Sequence, residues 1–248
     1  GLTGAPHWRL VRRRRQPAPA RGLPGLEARF VGRAPALHSM HDLAQNLTRG
    51  LGGMVWIEGE PGIGKSRLMR EFTASRDNDE RPLWIGKCSP QKTGTAFALF
   101  SDLLAQALDV QPTDPVSRIR AKIDRALRTW PADVHMARPY LEFLLGVWPE
   151  GLEGERLARL EPEQLRQQTF VAMRRLCKSI ADHHTLVIVL DDLHWIDAVS
   201  ADLLAFLLTT VATSPLLLVC AQRRQGADLP NDRLVRLQQL IPSQTRYV

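Results

Sequence analysis

Residues Gly59–Ser66, "GEPGIGKS", follow the spacing G-x-x-x-x-G-K-[ST]. Glycines at 59, 62 and 64 let backbone amides curl around phosphate oxygens with no Cβ in the way. A helix opening at Lys65 would aim the positive end of its dipole at the same anion. Lys65 would reach the outer phosphates of a polyphosphate, and Ser66 would offer its hydroxyl to Mg2+. Such a loop needs a carboxylate on a neighbouring strand to order the metal. "TLVIVLDDLHWID" (Thr185–Asp197) has an apolar run ending in two acids. Asp191 would hold Mg2+ through water, and Asp192 would orient or deprotonate an attacking water. The plainer alternative is that one of the pair caps the next turn. A third apolar run, "LLLVCAQRR" (Leu216–Arg224), ends in arginines. Arg223 is placed to stabilise charge on a transferring phosphoryl group, or is simply a surface arginine after a strand.

These residues need a frame that brings them to one edge. "GMVWIEG" (Gly53–Gly59), "PLWIGKCS" (Pro82–Ser89), Leu186–Leu190 and Leu216–Ala221 read as buried strands, and "TRYV" as the start of another. Helices are expected over Pro35–Gly50, Ser66–Ser75, Glu163–Asp182, Val199–Ala212 and Asp232–Leu240. Between the second and third strands lies a helical insert: Phe97–Leu108, Val116–Trp130, and Val134–Val147 interrupted at Pro139. Trp148–Gln164 reads as mostly loop. Strands apolar on both faces and alternating with helices predict an α/β fold, a parallel sheet with helices on both faces. In such sheets ligands bind at the carboxyl ends of the strands, where Asp191 is delivered.

The formal net charge is +7, and residues 1–33, with eight arginines against Glu27, carry all of it. The balanced remainder argues against a nucleic-acid-binding body. Residues 1–24 read as a basic Arg/Pro-rich linker and 25–248 as the folded domain. The linker is a solvated segment or a weak contact for nucleic acid or acidic surfaces. The apolar runs are too short to span a bilayer. Three widely spaced cysteines, Cys88, Cys177 and Cys220, suggest core packing in a reducing, cytoplasmic setting. His38 and His41 are expected on a solvated helix face, and His183–His184 at a helix end.

Four ordered blocks carry a resemblance: "FVGRAPAL" (Phe30–Leu37), "GEPGIGKSRLMREF" (Gly59–Phe72), "VIVLDDLHWIDAVSADLLAFL" (Val187–Leu207) and "PLLLVCAQR" (Pro215–Arg223). Together they resemble the AAA-type, origin-recognition-like ATPase module of signal-transduction P-loop NTPases. Such modules occur in bacterial LuxR-type regulators and in class III adenylate cyclase fusions. The resemblance implies AAA-like strand order and ATP with Mg2+ as ligands. Val31, Gly32 and Arg33 would lie by adenine and ribose. Gly59, Glu60, Pro61, Gly62, Ile63, Gly64, Lys65, Ser66 and Arg67 would form the phosphate loop. Ser66 and Asp191 would hold the metal, and Asp192 and Arg223 would act in hydrolysis. His194, Trp195 and Asp197 match a signature without a derived role, Trp195 being read as packing. The basic leader resembles the linker between a cyclase domain and this module.

Two departures bear on the expectation. Ala34–Pro35 stand where the family has an acidic residue, and the chain stops at Val248 where a last core strand begins. A C-terminally truncated module without its lid is therefore expected to bind ATP weakly and turn over slowly. The expected function is a regulatory switch that binds and slowly hydrolyses Mg-ATP, acting on effector or sensor domains of the same parent chain. Self-association is left open. The alternatives are a nucleotide-binding module without hydrolysis, and a nucleic-acid-linked ATPase using the basic leader.

Overall fold

In a computed structural model, strands β1 (Gly53–Gly59), β2 (Leu83–Lys87), β3 (Leu186–Asp191), β4 (Leu216–Arg223) and β5 (Thr245–Tyr247) form one sheet. They stand in the order β2-β3-β4-β1-β5, every neighbour parallel. The structure describes residues 32–76, 81–223, 237 and 245–247. The expected helix Asp232–Leu240 lies outside them except at Leu237, as do Val31 and the Pro24/Gly25 boundary. The chain divides into two units, Gly1–Arg33 and Ala34–Val248.

The central strands are apolar on both sides because both sides are covered. Met54, Val55, Trp56 and Ile57 of β1 are all buried, as are Leu186–Leu190 of β3. Met54, Trp56, Ile188, Leu190, Leu218 and Cys220 belong to one large core with the helices of the insert. The alternate residues, Val55, Ile57, Val189 and Val219, are equally buried. Helices α1 (Ala34–Asn46) and α2 (Lys65–Ala74) pack against β1 and each other, burying Met40, Leu43, Leu68, Met69 and Phe72. Each buried side chain of this size contributes about 1.5–3 kcal/mol.

The insert comprises α3 (Ala98–Ala107), α4 (Val116–Thr129), α5 (Arg138–Leu144), α6 (Gly151–Ala158) and α7 (Pro162–His184), followed after β3 by α8 (Ala198–Val211). Pro139 lies in the first turn of α5, where its missing N–H leaves no bond unmade, and Ala132–Ala137 before it is a 3-10 turn. The expected loop at 148–164 is corrected: α6 occupies its middle. Its sequence conceals the helix because its inward residues are Gly154 and Leu157, while Leu152 is 82% exposed. A Cβ on Gly154 would come within 2.1 Å of the Pro149 carbonyl oxygen, so the glycine is what allows the helix to lie this close. Glu142 is buried between Arg120, at 3.7 Å, and Arg138, at 3.1 Å.

Candidate functional site

The loop between β1 and α2 takes a path that its glycines permit. Gly62 and Gly64 have φ of 81° and 101°, a region that other residues enter at a cost. Gly64 precedes the first turn of α2, so the leading amides of that helix face the loop without intrahelical partners. Lys65 is buried, and its Nζ donates to the carbonyls of Gly59 at 2.7 Å and Glu60 at 2.9 Å. Its amine is held below the ordinary lysine range by burial and then by the charge of Arg223, against Asp191, Asp192 and Glu60. Glu60, Pro61 and Ile63 are exposed on the loop, and Arg67 faces Glu71 one turn on, at 3.6 Å.

Ser66 Oγ donates to Asp191 Oδ2 at 2.9 Å, which joins two motifs 125 residues apart. The other oxygen of Asp191 accepts from the Asp192 amide at 2.8 Å. Burial, and then the neighbouring Asp192 charge, push the Asp191 carboxyl above its usual range, against the Ser66 hydroxyl, the Asp192 amide and Lys87. A cation beside it would favour the ionised form. One hydroxyl and one carboxylate, both hard oxygen donors, suit Mg2+ that keeps waters and phosphate oxygens as its other ligands. No cluster of three or more His, Cys, Asp or Glu side chains able to hold a metal by itself occurs among the described residues.

The acids of "LDDLHWID" divide their work. Asp192 has φ 57°, a left-handed conformation that aspartate tolerates better than most side chains. It precedes the 3-10 turn Leu193–Trp195, yet its side chain makes no capping bond; its Oδ2 lies 3.3 Å from Lys87 Nζ. The capping acid is Asp197, whose Oδ1 accepts from Ser200 N at 2.9 Å at the start of α8. The same oxygen accepts from Phe97 N at 3.1 Å and so ties this turn to the head of the insert. Trp195 is 36% exposed, with its ring 5.2 Å from that of His194.

Strand register sets these groups in a row: Lys87 opposite Asp191 and Gly59 opposite Arg223. The structure therefore brings together the phosphate loop, Asp191, Asp192 and, exposed at the strand end, Arg223. Gly32, with φ 87°, and Arg33 belong to the first unit. Sequence reasoning missed Lys87, although one of only five lysines ending a strand at the carboxyl edge obeys the same rule that singled out Asp191. It also missed the Asp197–Phe97 bond, for which the sequence carries no signal. His41 is half-buried: it packs on Phe72 at 5.4 Å and meets Ser75 Oγ at 3.1 Å. His38 is exposed beside Asp42, and His183, at the end of α7, donates from Nδ1 to the Ser179 carbonyl at 2.8 Å.

Residues 29–219 match the family model described as the AAA ATPase domain. Over 227 residues the chain is 28% identical to an uncharacterized protein of Rhizobium meliloti (strain 1021), covering 88% of this chain and 21% of that one. The chain thus spans 21% of the length of this curated relative. Among solved structures, it is similar to Cdc6p from Pyrobaculum aerophilum: TM-score 0.48, 12% identity, 91% of this chain and 47% of that one covered. It is also similar to a chain in the structure of Drosophila ORC bound to poly(dA/dT) DNA and Cdc6: TM-score 0.41, 12% identity, 87% and 28% covered.

Proposed function

The chain belongs to the AAA ATPase domain family, and from that premise we propose that it is a regulatory switch that binds Mg-ATP and hydrolyses it slowly. The observation that carries the reading is the Ser66–Asp191 hydrogen bond, which unites a phosphate loop with a strand-end carboxylate. Gly59–Arg67 wrap the phosphates, Lys65 leaves its loop carbonyls for the outer phosphates, and Ser66 with Asp191 hold Mg2+. When bound, Mg2+ neutralises charge on the phosphate oxygens. Asp192 accepts the proton of the attacking water, and Arg223 stabilises charge at the terminal phosphate. We take residues 25–248 as the functional domain and 1–24 as its linker.

The state of the site is read by effector or sensor segments of the same parent chain, a reading supported by the share of the Rhizobium relative that lies outside the match. Three free, buried cysteines favour a reducing compartment, the cytoplasm. No helix among the described residues is long and apolar enough to cross a membrane. A second reading, a module that holds nucleotide without hydrolysis, draws on the Lys87–Asp192 pair, which occupies the carboxylate needed for proton transfer. Phosphate release separates the two. The switch reading expects Asp192→Asn to slow release by about 10²–10⁴-fold, the range for loss of a general base. Equal background rates for wild type and variant would leave the second reading standing.

A further inference from the structure

His194 lies in the 3-10 turn Leu193–Trp195, immediately beyond the two acids. Both of its ring nitrogens are buried, and neither has a hydrogen-bond partner in the protein. Other described histidines differ: His41 meets Ser75 Oγ, and His135 and His183 meet the Leu127 and Ser179 carbonyls. Buried polar groups in folded proteins are satisfied by protein, water or ligand. A neutral imidazole brings one N–H donor and one acceptor.

The charges that face the ring come from three elements: Asp192 on its own turn, Arg223 at the end of β4 and Lys65 at the head of α2. All three stand at the phosphate side of the site. Burial lowers the pKa of the ring, opposed by Asp192 and aided by Arg223 and Lys65, which favours the neutral, hydrogen-bonding form over a third cation. The loop Gly59–Ser66 is proposed to wrap the inner phosphates, and the turn carrying His194 follows directly on Asp191 and Asp192. The ring thus faces Asp192 and Arg223, the groups that the proposed function sets at the terminal phosphate.

We infer that His194 is a specificity-determining residue whose ring N–H donates to the terminal phosphate of a nucleoside triphosphate, a contact that a diphosphate lacks. This rests on the nucleotide-binding reading above. The test is equilibrium titration of the whole chain with Mg-ATP and with Mg-ADP. His194→Ala should raise the Kd for ATP about tenfold and leave that for ADP within about twofold. His194→Gln, which keeps an N–H donor, should recover most of the loss. In wild-type protein with 15N-labelled histidine, one His194 ring nitrogen should shift with a non-hydrolysable Mg-ATP analogue and stay in place with Mg-ADP. Equal losses for the two nucleotides, or a ring signal blind to the terminal phosphate, would overturn the assignment. Lys65→Ala separates the failures: retained ATP binding there overturns the nucleotide reading itself, whereas lost binding with an indifferent His194 overturns this inference alone.

Discussion

The phosphate-loop edge of the sheet and the helical insert are built by opposite means. At the edge, short turns and positive-φ residues, Gly62, Gly64 and Asp192, hold polar groups in reach of one another. In the insert, positions are set by packing: Phe100, Leu103, Leu104, Ile123, Leu141 and Leu176 are fully buried, and the charged Glu142 is enclosed by two arginines. Function at the edge resides in a few atoms, while stability in the insert resides in area and complementarity. Substitutions should therefore separate the two, and each experiment below either confirms or erases that division.

The largest effect belongs to the edge. Lys65→Ala removes the charge proposed to reach the phosphates, and ATP affinity should fall at least about 100-fold, the cost of about 2.7 kcal/mol or more of lost charged hydrogen bonding. Its melting temperature should barely move; a melting drop as large as that of a core variant would blur the division. Phe100→Ala in α3 should do the reverse, costing about 3–5 kcal/mol in chemical denaturation through the cavity it leaves. Nucleotide affinity of its folded fraction should stay within about twofold. Next comes Glu142→Ala, which removes the buried carboxylate between Arg120 and Arg138 while leaving them Glu150 and Asp124, and should cost about 1–3 kcal/mol without touching the edge.

A smaller effect concerns pH. The Asp191 carboxyl titrates above the ordinary carboxylate range. A raised pKa on an acid means the folded state holds its proton longer, so stability without nucleotide should fall as pH rises from the unfolded value to the folded one. Mg-ATP affinity should rise over the same interval, because only the ionised group holds the cation, and Asp191→Asn should flatten both curves. Smallest is a difference in thiol reactivity. Cys88, next to the edge, and Cys177, inside the insert, are both pushed up to about 12 by burial. Both should resist alkylation near neutral pH. Nucleotide bound at the edge should protect Cys88 further and leave Cys177 unchanged.

The same contrast explains what the sequence discloses. Gly59–Ser66 and the Leu186–Asp191 run are legible because their chemistry demands particular residues at particular spacings, and buried parallel strands announce themselves as unbroken apolar runs. The family's strand order followed from that resemblance and stands in the sheet. Helix α6 was illegible because its contact face is a glycine and a single leucine, so no apolar period exists to read. Lys87 was illegible as a partner of Asp192 because pairing across β2 and β3 depends on register, which one strand alone does not reveal. The Asp197–Phe97 bond spans 100 residues and joins a side chain to a backbone amide, which leaves no trace in residue type.

The central claim is that Ser66 and Asp191 act as one unit on a metal-bound nucleotide. ATP titrations with Mg2+ and with EDTA, for wild type, Ser66→Ala, Asp191→Asn and the double variant, test it most directly. The expected result is that Mg2+ tightens ATP binding by about tenfold or more in wild type, that either substitution removes this gain, and that the double variant is no worse than the singles. A gain from Mg2+ that survives in all four proteins, or losses that simply add, would contradict the claim.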